Sequence, residues 1–332
     1  MNKNAFVTGA CGFIGSNLVK ELLSRNWNVI GITKKIPINY LSHNNLKIIE
    51  GDILYREQLL EVTKGIDVIF HCAAYISFIP KDFQKSYDIN VKGTRNVLEA
   101  GLQNRIKKVV HLSAASVLGY TKNSKNIVDE DRKINISKKN PYTFTKRIAE
   151  DLVKDYCARG LDASIANITT VYGAGDRKLN SGAIIKLIYK EKIRFAFPGG
   201  TSYVSANDLI NGLIILSEKG KKGESYTFCT ENLTFWELFN RIAKSLNRKP
   251  IKAVLPKWTF FPVWGVFSLI SPFLRCPTDR VNIVTPQIIK EAYFYKYYSS
   301  RKTREELGWR PKIFLEEAVK EALDFYLKEG LV

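Results

Sequence analysis

No CxxC pair occurs among the five scattered cysteines, Cys11, Cys72, Cys157, Cys229 and Cys276. That argues against a disulfide framework or a thiolate zinc site, and it fits reduced thiols in a cytoplasmic protein. Only three histidines are present, His43, His71 and His111, too far apart for a helical metal motif, so no metal site is expected. The first apolar segment is one strand long and runs straight into a glycine turn, so no signal peptide is expected. Internal repeats and low-complexity segments are absent as well. One uncharged aromatic stretch, 258–274, is short and broken by Pro262 and Pro272, which argues against a transmembrane helix. Its composition suits the buried wall of an apolar pocket or a dimer contact. Flanked by Lys257, Arg275 and Arg280, it also suits peripheral docking at an anionic membrane, the less favoured of these readings. A basic arm is missing too. The net charge of +19 arises from 51 Lys and Arg spread along 332 residues and mixed with 32 acids, so a lysine-rich solvated surface is favoured over nucleic-acid binding.

What the chain does have is an early glycine turn, Val7-Thr8-Gly9-Ala10-Cys11-Gly12-Phe13-Ile14-Gly15. It follows the apolar strand Ala5-Phe6-Val7 and opens the amphipathic run Phe13 to Leu23. Glycines at 9, 12 and 15 permit a tight turn, close approach of backbone N–H groups to an anion, and close helix–strand packing. The helix N-terminus then offers free N–H groups and partial positive charge to a pyrophosphate.

Strand signals at Ala5–Thr8, Trp27–Thr33, Leu46–Glu50, Asp67–His71, Lys107–Ser113 and Ala163–Ile168 alternate with helical patterns at 13–25, 56–64, 83–102 and 142–159. Near-continuous apolar strands between helices imply an α/β fold, a doubly wound parallel Rossmann sheet covered on both faces. After about residue 170 the rhythm breaks into shorter elements. The expected division is a dinucleotide-binding domain over 1–170, to which 201–230 returns, and a smaller substrate-binding lobe over 171–332.

Tyr142 and Lys146 are four residues apart at the start of a helix behind Pro141, so they share one face. An ammonium beside a phenol lowers the tyrosine pKa from about 10, which makes it a usable proton donor or acceptor. Tyr298 and Lys302 have the same spacing without a nucleotide-binding context, and are set aside.

In order along the chain stand Thr-Gly-x-x-Gly-Phe-Ile-Gly, Gly51-Asp52-Ile53, His71-Cys72-Ala73-Ala74, Asn90-Val-Lys-Gly93-Thr94, Tyr142…Lys146 and Leu307-Gly-Trp-Arg-Pro311. Together they resemble the extended short-chain dehydrogenase/reductase family, the NAD-dependent epimerase/dehydratase proteins. The nearest branches are dihydroflavonol-reductase-like, 3β-hydroxysteroid-dehydrogenase-like and hopanoid-associated sugar epimerases. The resemblance implies that Gly9, Gly12, Phe13, Ile14 and Gly15 hold a pyrophosphate, and that Asp52 and Ile53 meet adenine. Ala73 and Ala74 would line the cofactor channel, Lys146 would also bond the nicotinamide ribose, and Asn90 would brace a helix or relay protons. It implies a small-molecule substrate and a homodimer. The family places a catalytic Ser or Thr after the fifth strand, where this chain has Ala114, so Ser113 is the first choice and Ser116 the reserve.

At the end of the second strand, where NAD enzymes carry an acid, stand Thr33, Lys34 and Lys35. A 2′-phosphate is welcome there, so NADP(H) is favoured over NAD(H). The segment 198–208 lacks the arginine with which nucleotide-sugar enzymes of the family hold a diphosphate. The favoured function is therefore hydride transfer between nicotinamide and a carbonyl or hydroxyl of a small, apolar substrate. The runner-up is a nucleotide-sugar epimerase or dehydratase with tightly held NAD. A third reading, kept alive by Ala114, is a catalytically weakened cofactor-binding or assembly protein.

Overall fold

A computed structural model of the chain describes residues 3–38, 40–132, 136–270 and 286–332, without the side chains of Phe267 and Ile270. Cys276, Arg275 and Arg280 lie outside the described residues, as does the end of the 258–274 stretch.

Six strands come from the first half: β1 (Asn4–Thr8), β2 (Asn28–Thr33), β3 (Leu46–Glu50), β4 (Val68–His71), β5 (Lys108–Ala114) and β6 (Ala163–Ile168). The second half adds β7 (Thr170–Tyr172), β8 (Phe195–Ala196), β9 (Gly200–Ser205), β10 (Ser225–Phe228), β11 (Glu231–Thr234), β12 (Ala253–Val254) and β13 (Tyr295–Lys296). The large sheet is parallel throughout, in the order β10-β6-β5-β4-β1-β2-β3. Every residue of β4 and β5 is buried. Buried apolar strands of this kind need a helical layer on each face.

The helices of the first half are α1 (Phe13–Ser24), α2 (Arg56–Val62), α3 (Phe83–Tyr87), α4 (Gly93–Gln103) and α5 (Pro141–Ala158). Those of the second are α6 (Ala183–Tyr189), α7 (Ala206–Lys219), α8 (Phe235–Ser245), α9 (Phe260–Ile270), α10 (Pro286–Glu291), α11 (Arg301–Leu307) and α12 (Leu315–Lys328). On one face of the large sheet, α1 and α7 bury Leu18, Leu22, Leu209 and Leu213 with Val110 and Leu112. On the other, α4 and α5 bury Val97, Leu98, Val153 and Tyr156. Residues 206–228 thus join the large sheet as α7 and β10, whereas β9 belongs to a smaller sheet with β7, β11 and β13. That sheet shares an apolar core with α6, α8 and α12, around Tyr203, Leu238 and Val319.

The late Leu-Gly-Trp-Arg-Pro segment is structural. Trp309 is fully buried edge-on against Phe228 and donates its indole N–H to the Asp208 carbonyl at 3.0 Å. Lys302 pairs with Glu224, and the Tyr298 hydroxyl donates to the Gly119 carbonyl, so this Tyr/Lys spacing serves packing.

The run expected as one helix over 83–102 is interrupted. Between α3 and α4 the residues Asp88–Lys92 form a π turn, and Asn90 sits inside it. An expanded turn of this kind frees a side chain to bond elsewhere, and Asn90 uses that freedom.

Candidate active site

The strand order reverses between β1 and β4, and the loops leaving their C-terminal ends form the crevice where α/β sheets bind ligands. Gly9 has φ +66, and a Cβ there would come within 3.0 Å of the Ala73 backbone, so the turns after β1 and β4 nearly touch. A Cβ at Gly15 would lie 2.2 Å from the Gly9 carbonyl oxygen. The N-terminus of α1 is capped by Gly12 with no side-chain hydrogen bond, which leaves its first N–H groups open. A cradle without side chains at a free helix N-terminus fits the pyrophosphate of a dinucleotide. Phe13 and Ile14 are half-buried behind it.

The adenosine end is more crowded than the sequence suggests. Lys34 is exposed but ion-paired to Asp52 at 2.9 Å, so the candidate phosphate and adenine contacts hold one another. Ile53 is buried against Gly93. Thr33 lies in register with Glu50 of β3, whose carboxylate accepts from the Ile36 N–H at 2.8 Å. Tyr40, a residue sequence reasoning passed over, donates its hydroxyl to the Ala10 carbonyl at 2.9 Å and covers the glycine turn beside Cys11. Arg177 reaches the same corner electrostatically from the loop after β7, and Asn17 of α1 donates to Ala174 in that loop at 2.9 Å.

Behind the crevice runs a buried hydrogen-bond chain. The Thr94 hydroxyl donates to the Asn90 carbonyl (2.7 Å), so His71 Nε2 must donate to Thr94 (2.9 Å). His71 Nδ1 then accepts from Thr8 (2.7 Å), whose oxygen accepts the Ala73 N–H (3.0 Å). This assigns the neutral Nε2–H tautomer, and burial, aided by the Lys146 charge, holds the His71 pKa down to about 3. In the π turn, the Asn90 side chain accepts from the Tyr75 N–H (2.7 Å) and donates to the Tyr75 carbonyl (2.9 Å) and the Thr145 hydroxyl (3.0 Å). The chain thus connects the end of β1 to α5.

Helix α5 starts sharply. Asn140 caps it by accepting from Thr143 N–H (3.1 Å), Pro141 occupies the first helical position, and the Tyr142 N–H donates to Ser77 O (3.2 Å). Phe78 packs edge-on against the Tyr142 ring. One turn on, Lys146 is buried, and its ammonium donates to the Leu112 carbonyl and to His111 Nε2 (3.3 Å). The expected lowering of the Tyr142 pKa is not what this arrangement gives. Burial pushes the phenol up to about 12, because the Lys146 charge is turned toward β5; burial likewise brings Lys146 down to about 8.

The two candidate serines part company. Residues 111 and 113 alternate onto the same side of β5, while Lys146 and Glu150 share one side of α5. His111 therefore meets Lys146, and Ser113 lies beside the buried Glu150, which also accepts from Asn167 at 2.6 Å. Ser113 is thus enclosed beneath α5. Ser116, on the 3₁₀ turn Ala115–Leu118, is 3.0 Å from the Thr143 hydroxyl, next to Tyr142. Ala73 is half-buried at the crevice and Ala74 is exposed there. Among the described residues no group of three or more His, Cys, Asp or Glu is arranged to hold a metal.

Known proteins resemble this chain in sequence and in fold. The model of the NAD dependent epimerase/dehydratase family matches residues 5–229. A 3-beta-hydroxysteroid dehydrogenase of Mycolicibacterium neoaurum is 28% identical, over 96% of this chain and 90% of the relative. Sterol demethylase protein B of Methylococcus capsulatus is 26% identical over 98% and 99%. Among solved structures, gox2253 superimposes with a TM-score of 0.82 at 26% identity, over 99% of each chain.

Proposed function

The chain belongs to the NAD-dependent epimerase/dehydratase family, the extended short-chain dehydrogenases/reductases, and within it we propose an NADP(H)-dependent reductase of an apolar carbonyl compound. What supports this reading is Tyr142 in the first turn of α5, followed by Thr143, whose hydroxyl lies 3.0 Å from Ser116, together with the side-chain-free cradle at the glycine turn. Bound nicotinamide supplies the hydride. With its pKa raised to about 12, the Tyr142 phenol is protonated at neutral pH, which suits it to give a proton to the substrate oxygen. Ser116 donates a hydrogen bond to that oxygen, replacing the hydroxyl lost at Ala114. With the cofactor bound, Lys146 would have to leave the Leu112 carbonyl and His111 to bond the nicotinamide ribose, and that movement would bring its positive charge toward the phenol. Asn90 holds the Tyr75 loop and α5 in register.

The apolar substrate class is supported by the steroid and sterol names of the relatives and by the absence of an arginine on β9. NADP(H) is supported by Thr33, Lys34 and the exposed Lys35.

The test is NADPH oxidation with a panel of apolar ketones that includes a 3-ketosteroid. Tyr142→Phe lowers turnover about 10²–10⁴-fold with NADPH affinity retained. Ser116→Ala lowers it about 10²–10³-fold, and Ser113→Ala leaves it near wild type. The reverse order for the two serines would return the role to Ser113. NAD that stays bound through dialysis would favour the epimerase reading, and tight cofactor binding without turnover on ketones or sugars would favour a weakened enzyme.

A further inference from the structure

Helix α9 breaks the rule that apolar surface is covered. All eleven of its residues, Phe260 to Ile270, are uncharged, and a helix apolar on every side belongs in an interior. Instead Phe261, Pro262, Val266 and Leu269 form one open face, with Phe261 76% and Leu269 74% exposed. Trp258, in the turn before the helix, is 73% exposed, and Trp264 stands at the edge. The buried pocket wall expected from the sequence is therefore not what these residues make.

The two-stranded ribbon that leads into it, linked to α9 by ring contacts of Tyr293 with Phe260 and with Phe197 just after β8, continues the pattern. Phe195 of β8 pairs with Ala253 of β12, and Phe195 and Val254 are both exposed. The parallel register sets Lys252 next to Arg194 at the same end of the ribbon, and Lys257 precedes Trp258. All three cations are exposed, and among the described residues none has a carboxylate partner. The sequence has no Asp or Glu between Glu237 and Asp279.

We propose that α9 and the β8–β12 ribbon dock on the surface of an anionic lipid bilayer, with Phe261, Val266 and Leu269 in the acyl boundary and Arg194, Lys252 and Lys257 at the headgroups. Tryptophan at the border suits that interface, since its ring is apolar and its N–H stays hydrated. Among the described residues no helix is long and apolar enough to cross a membrane, and the eleven described residues of α9 reach about 16 Å, half of the roughly 30 Å hydrocarbon core, so they are proposed to lie on the bilayer. Charge also selects against a second copy of this chain as the cover. A two-fold pairing sets a patch against itself, so a second copy would bring the same three cations and no carboxylate from this stretch to neutralise them. This inference concerns a surface outside the candidate active site and does not depend on the proposed reaction.

The experiment is cosedimentation of the full chain with phosphatidylcholine vesicles, with and without phosphatidylglycerol, at low and high salt. Binding is expected only with phosphatidylglycerol, weakening as salt rises, with a blue shift of tryptophan fluorescence that Trp258→Phe diminishes. Lys252→Glu with Lys257→Glu weakens binding about tenfold or more. Phe261→Ser with Leu269→Ser abolishes it while circular dichroism stays native. Tyr142→Phe binds vesicles as wild type does, which separates this test from that of the reaction. Absence of binding at low salt, or binding indifferent to both double variants, overturns the proposal. So does a dimer in light scattering that Phe261→Ser with Leu269→Ser dissociates, because a second copy would then cover the face.

Discussion

The β1–α1 turn is built of backbone atoms, whereas around the first turns of α5 side chains fill the structure. The turn depends on what is missing: no Cβ at Gly9, Gly12 or Gly15, and no side-chain cap on α1. The α5 side depends on a dense set of partners, in which Lys146, His111, Asn90 and Thr145 are each held by a neighbour. A backbone cradle is rigid and tolerates no added atom. A side-chain cluster can be retuned one residue at a time, and the proposed role of Ser116 in place of the hydroxyl missing at Ala114 would be one such change.

The harshest way to break this contrast is Gly15→Ala. Its methyl would sit 2.2 Å from the Gly9 oxygen and 2.8 Å from the Gly9 carbonyl carbon, both backbone atoms that cannot yield cheaply. Cofactor affinity is expected to fall more than about 100-fold, read by calorimetric titration with NADPH. Normal binding by this variant would show that the turn is not the cradle.

The α5 side is sensitive to pH instead. His71 has its pKa held down to about 3 by burial, against an ordinary value of 6.5. Below pH 6.5 the unfolded chain takes up a proton that the native chain refuses, so stability is intact above 6.5 and falls by up to about 1.4 kcal/mol per unit as pH drops. Lys146 mirrors this at the alkaline end. With a native value of about 8 against 10.5, the unfolded chain holds the extra proton between them, so stability rises with pH through that window. The burial cost present at neutral pH is on the order of 3 kcal/mol. Urea melts across the pH range should show both slopes, and Lys146→Met should erase the alkaline one.

The smallest expected effect lies at the adenosine end, where both kinds of material meet. Thr33→Asp adds a carboxylate close to Glu50 and the Lys34–Asp52 pair. It should weaken NADPH about tenfold relative to NADH without changing the fold, a ratio read by fluorescence titration. Equal affinities in the wild type and no change in the variant would remove the preference for the phosphorylated cofactor.

Much of this was legible along the chain because it is written in local patterns. Glycine spacing, buried strands and the Tyr142/Lys146 interval each occupy a few consecutive residues. The rest depends on contacts between distant segments. The π turn is invisible to helical periodicity because Asn90 answers to Tyr75 and Thr145, fifteen and fifty-five residues away. The direction of Lys146 is set by a carbonyl of β5, and the enclosure of Ser113 by Glu150. At 258–270 composition announced an apolar element, but whether it faces in or out is decided by what packs on it.

The return of residues 206–228 to the large sheet also governs how this chain is made. β5 and β6 are complete once residue 168 has been synthesised, yet the helix that seals one of their faces, α7, and the neighbouring strand β10 lie up to sixty residues downstream. At ordinary translation speeds the ribosome needs several seconds to deliver them. Throughout that pause Val110, Leu112 and Ala166 have no cover from α7, and α1 alone shields that face of the sheet.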